Sequence, residues 1–284
     1  MAEVAGRMAE APATGEAPPT VRRRGGAGLW TFRRALPRRT ETALALAGSL
    51  AVLLIWEGAA RTGLTNPVFF PAPSTVLAAL WRMLTQQNLL WHAGISTMRV
   101  WTAFAVAAVM AVPIGILMSS YRAFGAAVEP IIDFIRYLPV PALVPLSIIW
   151  FGVGESTKIY LLWLGTFFQL VLLVSDDMRR VPQEYFEIAS TLGAKPAQAL
   201  KDVAFRAMLP NLVDNLRITL GWCWTYLIIA EIVAADSGIG FVIWTARRYM
   251  KTPEVMAGVV VIGLIGLLTD QLLRALHRRA FRYL

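Results

Sequence analysis

Little in this sequence could make or break a covalent bond. The four lysines, Lys158, Lys195, Lys201 and Lys251, each follow a residue other than glycine. That excludes a G-x-x-x-x-G-K-[ST] loop, whose backbone amides would cradle phosphate. The two histidines, His92 and His277, lie far apart, so the ligand spacing of a zinc hydrolase cannot be built. Cys223 is the single cysteine, allows no intrachain disulfide, and reads with Trp222 and Trp224 as packing. What remains is charge set among apolar residues. Glu231 falls just before the end of an apolar run, where a carboxylate faces a bundle interior or a cavity. There it would shape an outer gate, pair with a cation, or accept hydrogen bonds from a neighbouring span or loop; an anion it would repel. Arg99 and Arg217 stand near the starts of other apolar runs. They could attract anions or snorkel to headgroups.

The elements that would hold these residues are membrane spans. Of 284 residues, 57% are hydrophobic and 16% charged. Mean hydropathy is +0.56. An all-α polytopic membrane protein with about six transmembrane helices is expected. The net charge of +9 sits beside apolar blocks, so it reads as membrane orientation and contact with anionic lipid, with no nucleic-acid partner. Residues 1–41 read as a disordered, basic cytoplasmic tail. Arg22, Arg23, Arg24, Arg33, Arg34, Arg38 and Arg39 place it inside, and the long apolar core that follows favours an uncleaved anchor over a signal peptide.

The spans are expected at Thr42 to Ala60, Ile95 to Ser119, Val128 to Trp150, Lys158 to Val174, Leu212 to Ala234 and Val255 to Leu273. Ser74 is expected to cap a short amphipathic helix in the first outer loop. Tyr137, Pro139, Pro141 and Pro145 interrupt the third span. A broken span survives in a bilayer only where its freed backbone meets protein or water, so Tyr137, Pro139 and Pro141, with Glu231, are candidates for a translocation path. A kinked packing helix is the alternative. Asp133 and Arg136 are spaced to pair at i, i+3. The basic end after Arg274 puts the C-terminus inside with the N-terminus, which suits an even span count. The stretch 235–253 breaks the charge rule with Arg247, Arg248 and Lys251, and reads as partly re-entrant or as a face for an external partner.

Between the fourth and fifth spans lies a polar elbow, residues 182–210. Pro182 can open a helix, with Glu184 and Glu187 near its first turn. Tyr185, Ile188, Ala189 and Leu192 give it one apolar face, and Gly193 can end it. Pro196 restarts a helix, and Pro210 is expected to close the unit.

Glu187-Ile188-Ala189, three residues, then Gly193 resembles the EAA–xxx–G motif of permease subunits of bacterial ABC importers. Ile188 replaces the motif's middle alanine, and Arg206 stands where the family often has proline; Pro210 is similar to the sulfonate, taurine and nitrate branch. Ala230-Glu231 followed by Ser237-Gly238-Ile239-Gly240, and Phe70-Pro71-Ala72-Pro73-Ser74, resemble the same branch. The resemblance covers residues 42–284. It implies a non-catalytic subunit whose elbow (Glu184, Glu187, Ala189, Gly193, Pro210) couples to cytoplasmic ABC ATPase subunits. It also implies pairing with a second copy in the bacterial inner membrane, delivery of solute by a periplasmic or extracellular solute-binding protein, and no cofactor of its own, ATP being used by the partner. The expected solute is a small anion such as an aliphatic sulfonate, taurine or nitrate, with bicarbonate or a vitamin precursor as alternatives. Two other classes compete: an ion-gradient-driven transporter, which calls for paired ionisable groups at mid-span, and a non-transporting membrane scaffold, which would not need the broken third span.

Overall fold

The computed structural model describes residues 37–63, 66–234 and 236–282. The tail read as disordered lies outside them up to residue 36. Among the described residues every regular element is helical. The chain divides after Val52. Residues 37–52 are the opening turns of α1 (Arg38–Arg61), which begins inside the expected tail. The body from residue 53 onward holds the other elements.

In the body, the loop after α1 leads to α2 (Pro73–Gln86). Its cap residue is Ala72 rather than Ser74. The Ser74 N–H instead donates to Glu57 Oε2 at 3.0 Å and its hydroxyl to Glu57 Oε1 at 2.8 Å, so a carboxylate from α1 serves the helix start. Next come α3 (Leu89–Ser120) and α4 (Arg122–Ile135), a 3₁₀ turn (Val140–Leu143) and α5 (Val144–Phe151). Further on are α6 (Glu155–Arg179), α7 (Gln183–Thr191), α8 (Pro196–Gln198), a π-turn (Ala199–Ala204) and α9 (Phe205–Ala234). Two helices end the chain, α10 (Ile239–Arg248) and α11 (Thr252–Ala280).

Helices α1, α3, α6 and α11 are each long and apolar enough to cross a membrane. The third expected span is a bent pair, α4 and the stretch 140–151, meeting at 88°. Pro139, Pro141 and Pro145 explain the break, because each removes a donor and disfavours helix before it. Counted as one span it makes five by length and composition. Helix α9, 30 residues long, carries Pro210 in its interior, so the elbow does not close there as expected. One missing donor is tolerable at this place. Arg206 and Pro210 border a cavity of about 350 Å³, where a freed carbonyl can be solvated. Within the stretch 236–253 lies α10, too short to cross a bilayer, with Ile239, Gly240, Ile243 and Ala246 buried. Arg247 and Arg248 stay exposed, and the Arg247 guanidinium lies 4.7 Å from the Trp244 ring centre.

Helix α3 is central. In lipid, helices associate through close packing rather than the hydrophobic effect, so small residues belong at contacts. Ala103, Ala107, Ala111 and Gly115 recur every fourth residue on α3 and are all buried. A Cβ at Gly115 would sit 2.7 Å from both the Val171 carbonyl oxygen and Val174 Cβ on α6. Gly115→Val should therefore destabilise the subunit by about 1–3 kcal/mol through overpacking. Gly94→Ala on the same helix, where nothing lies within 4 Å, should not. Thermal unfolding of the purified variants in detergent checks both; equal midpoints would refute the close contact.

Candidate functional site

The elbow is built as its residues dictate. Pro182 caps α7, and the helix ends in a left-handed Gly193, φ +80°. The Ala194 N–H donates to the Ala189 carbonyl at 2.9 Å, closing the end in the manner of a Schellman motif. Ala189 is buried against the body, whereas Tyr185, Ile188 and Leu192 are exposed, Leu192 by 82%. Glu184 and Glu187 are exposed and make no ion pair among the described residues. After Gly193 the Gln198 side chain accepts the Lys195 N–H at 2.9 Å and starts α8. At the base of the elbow, Asn215 on α9 donates to Asp177 on α6 at 2.7 Å, tying together the helices that enter and leave it. Arg179 donates twice to Glu129 on α4, at 2.6 and 3.1 Å. These bonds join the base of the elbow to α6, α9 and the first half of the broken span.

Beside the break lies a cavity of about 330 Å³. Leu138 and Val140 from the break line it, with Gly165 and Gln169 of α6 and Thr225 and Tyr226 of α9. Tyr137, Pro139 and Pro141 are exposed residues interleaved with this lining. Asp133 and Arg136 pair as expected, at 3.2 Å.

Glu231 lies elsewhere. It is fully buried and accepts from Arg99 Nη1 at 2.7 Å, Ser96 Oγ at 2.7 Å and the Gly240 N–H at 2.7 Å. Its carboxylate is fully engaged, and Glu231 is not among the residues lining the cavity at the break. Arg99 neither snorkels nor faces outward: it too is fully buried. Its Nε and Nη2 grip Glu155 at 2.7 and 2.5 Å, and Nη1 and Nη2 reach the Ser237 carbonyl and hydroxyl, both at 2.8 Å. Lys158 adds bonds to Glu155 at 2.8 Å and Asp236 at 3.5 Å. The Ser237 hydroxyl, donating to Asp236 at 3.0 Å, holds that carboxyl below the usual carboxylate range. One guanidinium thus joins α3, α6, α9 and the loop before α10.

Sequence reasoning singled out Arg99 and Glu231 separately and missed their pairing, along with Glu155 and Ser96. The signal available was two opposite charges in apolar runs, each too costly to bury alone. The Ser237-Gly238-Ile239-Gly240 run is explained by the same cluster. Gly238 has φ +103°, and a Cβ there would run into the Glu231 carboxylate. One at Gly240 would lie 2.6 Å from Glu231 Cβ. His92 accepts the Gly238 N–H at 3.1 Å. Arg217 is held by Asp270 at 3.4 Å and Asp214 at 3.6 Å, so it is no free anion site. Cys223 is fully buried packing.

Comparison with known proteins matches residues 111–282 to the family described as binding-protein-dependent transport system inner membrane component. The taurine transport system permease protein of Escherichia coli (strain K12) is 37% identical over 238 residues, 82% of this chain and 86% of that protein. A putative aliphatic sulfonates transport permease protein of Bacillus subtilis (strain 168) is 31% identical, over 82% and 84%. The bicarbonate transport system permease protein of Synechococcus elongatus is 30% identical, over 84% and 89%. Among solved structures, an inward-facing MetNI methionine ABC transporter chain shares the fold with TM-score 0.56 at 20% identity, covering 68% of this chain and 97% of that one. With an elbow exposed for a partner, a broken span over a cavity and no phosphate-binding loop, the chain belongs to the family of inner-membrane components of binding-protein-dependent transport systems, as the non-catalytic permease subunit of an ATP-driven importer.

Proposed function

We propose that this subunit carries a small oxyanionic solute, an aliphatic sulfonate, taurine or a near relative, inward through a path shared by two copies. The observation that carries the reading is the exposed apolar face of α7 over a base that ties α6 to α9. Such a face seats in a cytoplasmic ATPase, with Glu184, Glu187 and Gly193 in the contact unit, Ala189 holding its inner side against the body and Pro210 sitting just beyond it. The broken span, with Tyr137, Pro139 and Pro141 around its cavity, lines the path. An external binding protein delivers the solute. Six spans, counting α9 and the bent pair, keep both basic termini on the cytoplasmic side, next to anionic lipid. The names of the taurine, sulfonate and bicarbonate relatives support the solute class.

The test is uptake of labelled taurine into proteoliposomes holding this subunit with its ATPase and binding protein. Uptake is expected to require ATP and to ignore an ionophore. Uptake abolished by the ionophore and indifferent to ATP would replace this reading with an ion-gradient-driven one.

A further inference from the structure

The cavity beside the broken span has an uneven chemistry. Arg136 is the one charged residue in its lining, and neither Asp nor Glu lines it. The Arg136 guanidinium gives Nε to Asp133 at 3.2 Å and Nη2 to the Tyr137 hydroxyl at 3.1 Å, leaving Nη1 without a partner among the described residues. From the neighbouring helices, Gln169 on α6 and Trp222, Thr225 and Tyr226 on α9 bring an amide, an indole and two hydroxyls to the lining. The Gln169 amide, the Trp222 indole and the Tyr226 hydroxyl have no partner among the described residues, and Thr225 reaches only the Gly221 carbonyl, at a long 3.4 Å. The wall is set closely: a Cβ on Gly165 would lie 2.5 Å from Tyr226 Cδ2, so the tyrosine ring rests on a glycine.

Polar groups left unpaired among spans are costly unless water or a passing solute engages them. Here the unpaired groups are rich in donors. A cation would meet a guanidinium and few acceptors, whereas an oxyanion would meet N–H and O–H groups from two helices, with the free Nη1 of the Asp133-paired Arg136 at the rim. A volume of about 330 Å³ suits a solute of a few heavy atoms. We propose that this cavity is the transit subsite for the oxyanion end of the solute, with Gln169, Trp222 and Tyr226 as donors, Thr225 in the wall between them and Arg136 at its rim. The proposal rests on the importer reading above and adds where, and by which residues, the anion is held in passage.

The test uses Thr225→Cys in a Cys223→Ala background, in the assembled transporter. Two thiol reagents of similar reach are compared, the sulfonatoethyl and trimethylammonioethyl methanethiosulfonates, each rate divided by its rate with free cysteine. The sulfonate reagent should be favoured by about tenfold or more, as focusing of a counter-ion in a low-dielectric cleft allows. Adding Arg136→Gln and Gln169→Leu should level the two. Leu164→Cys, which lines the same cavity, replaces Thr225→Cys if that variant fails to assemble. Equal rates, a preference for the cation, or no reaction with either reagent would overturn the proposal. Equal rates in the Thr225→Cys transporter with ATP-driven uptake intact sink this subsite alone; a preference there with no ATP-driven uptake sinks the importer reading and leaves the anion site standing.

Discussion

Arg99→Leu is expected to cost the folded subunit about 3–5 kcal/mol, the penalty of leaving a buried charge without its partner. The charge left behind is Glu231, which is fully buried. Its other partners, the Ser96 hydroxyl and the Gly240 N–H, are neutral. Glu155 would suffer less, since its side chain is 47% exposed and can be hydrated, with Lys158 still 2.8 Å away. Glu231→Gln should therefore cost less than Arg99→Leu, because Arg99 keeps its paired bonds to Glu155. The double variant Arg99→Met with Glu231→Met should recover part of the loss, because the penalty belongs to the lone charge rather than to the absence of the pair. Thermal unfolding in detergent of Arg99→Met, Glu231→Met and their double forms the double-mutant cycle, and Arg99→Leu and Glu231→Gln measured beside them give the ordering. Single variants that simply add in the double would show that the two groups are not coupled and that the geometry around Arg99 is wrong.

The same cluster marks the limit of what the sequence reveals. Long apolar helices declare themselves by composition, so α1, α3, α6 and α11 fall close to the expected spans. Backbone-determined features are legible too: three prolines give the 88° break, and Gly193 adopts the left-handed conformation that ends α7. Partners are a different matter. Arg99 is 56 residues from Glu155 and 132 from Glu231, and each charge alone looks like an ordinary span-end residue. Nothing local distinguishes a snorkelling arginine from a buried hub. Gly238 and Gly240 stood out as a motif, but their cause, a carboxylate folded back against them, depends on the tertiary path. Pro210 misled because local propensity says that a helix stops there, whereas in a bilayer a neighbouring cavity can accommodate one freed carbonyl. Ser74 misled in the opposite way: it is a good cap by type, but Glu57 from another helix already engages it.

Glu187→Lys and Gly193→Pro are expected to leave the subunit folded in the membrane and to abolish ATP-driven uptake, while the partner ATPase still hydrolyses ATP. Glu187 is exposed and makes no ion pair among the described residues, so reversing its charge breaks no bond visible within this chain. Any loss must then arise at a contact with another molecule. Gly193 acts through the backbone. Nothing lies within 4 Å of where its Cβ would be, so space does not exclude a larger residue; φ of +80° does. Proline is fixed near −65° and would also lose the N–H that donates to the Ser190 carbonyl at 2.9 Å. The end of α7 would then open and re-aim Ile188 and Leu192, which are 58% and 82% exposed and so are free to bear on a partner. Asparagine tolerates the left-handed conformation, so Gly193→Asn should keep most of the uptake that Gly193→Pro loses. Uptake and ATP hydrolysis measured side by side in proteoliposomes separate the possibilities. If Gly193→Asn fails as badly as proline, the shape of the turn is not what matters, and if Glu187→Lys transports normally, the exposed face of α7 is not where the force enters.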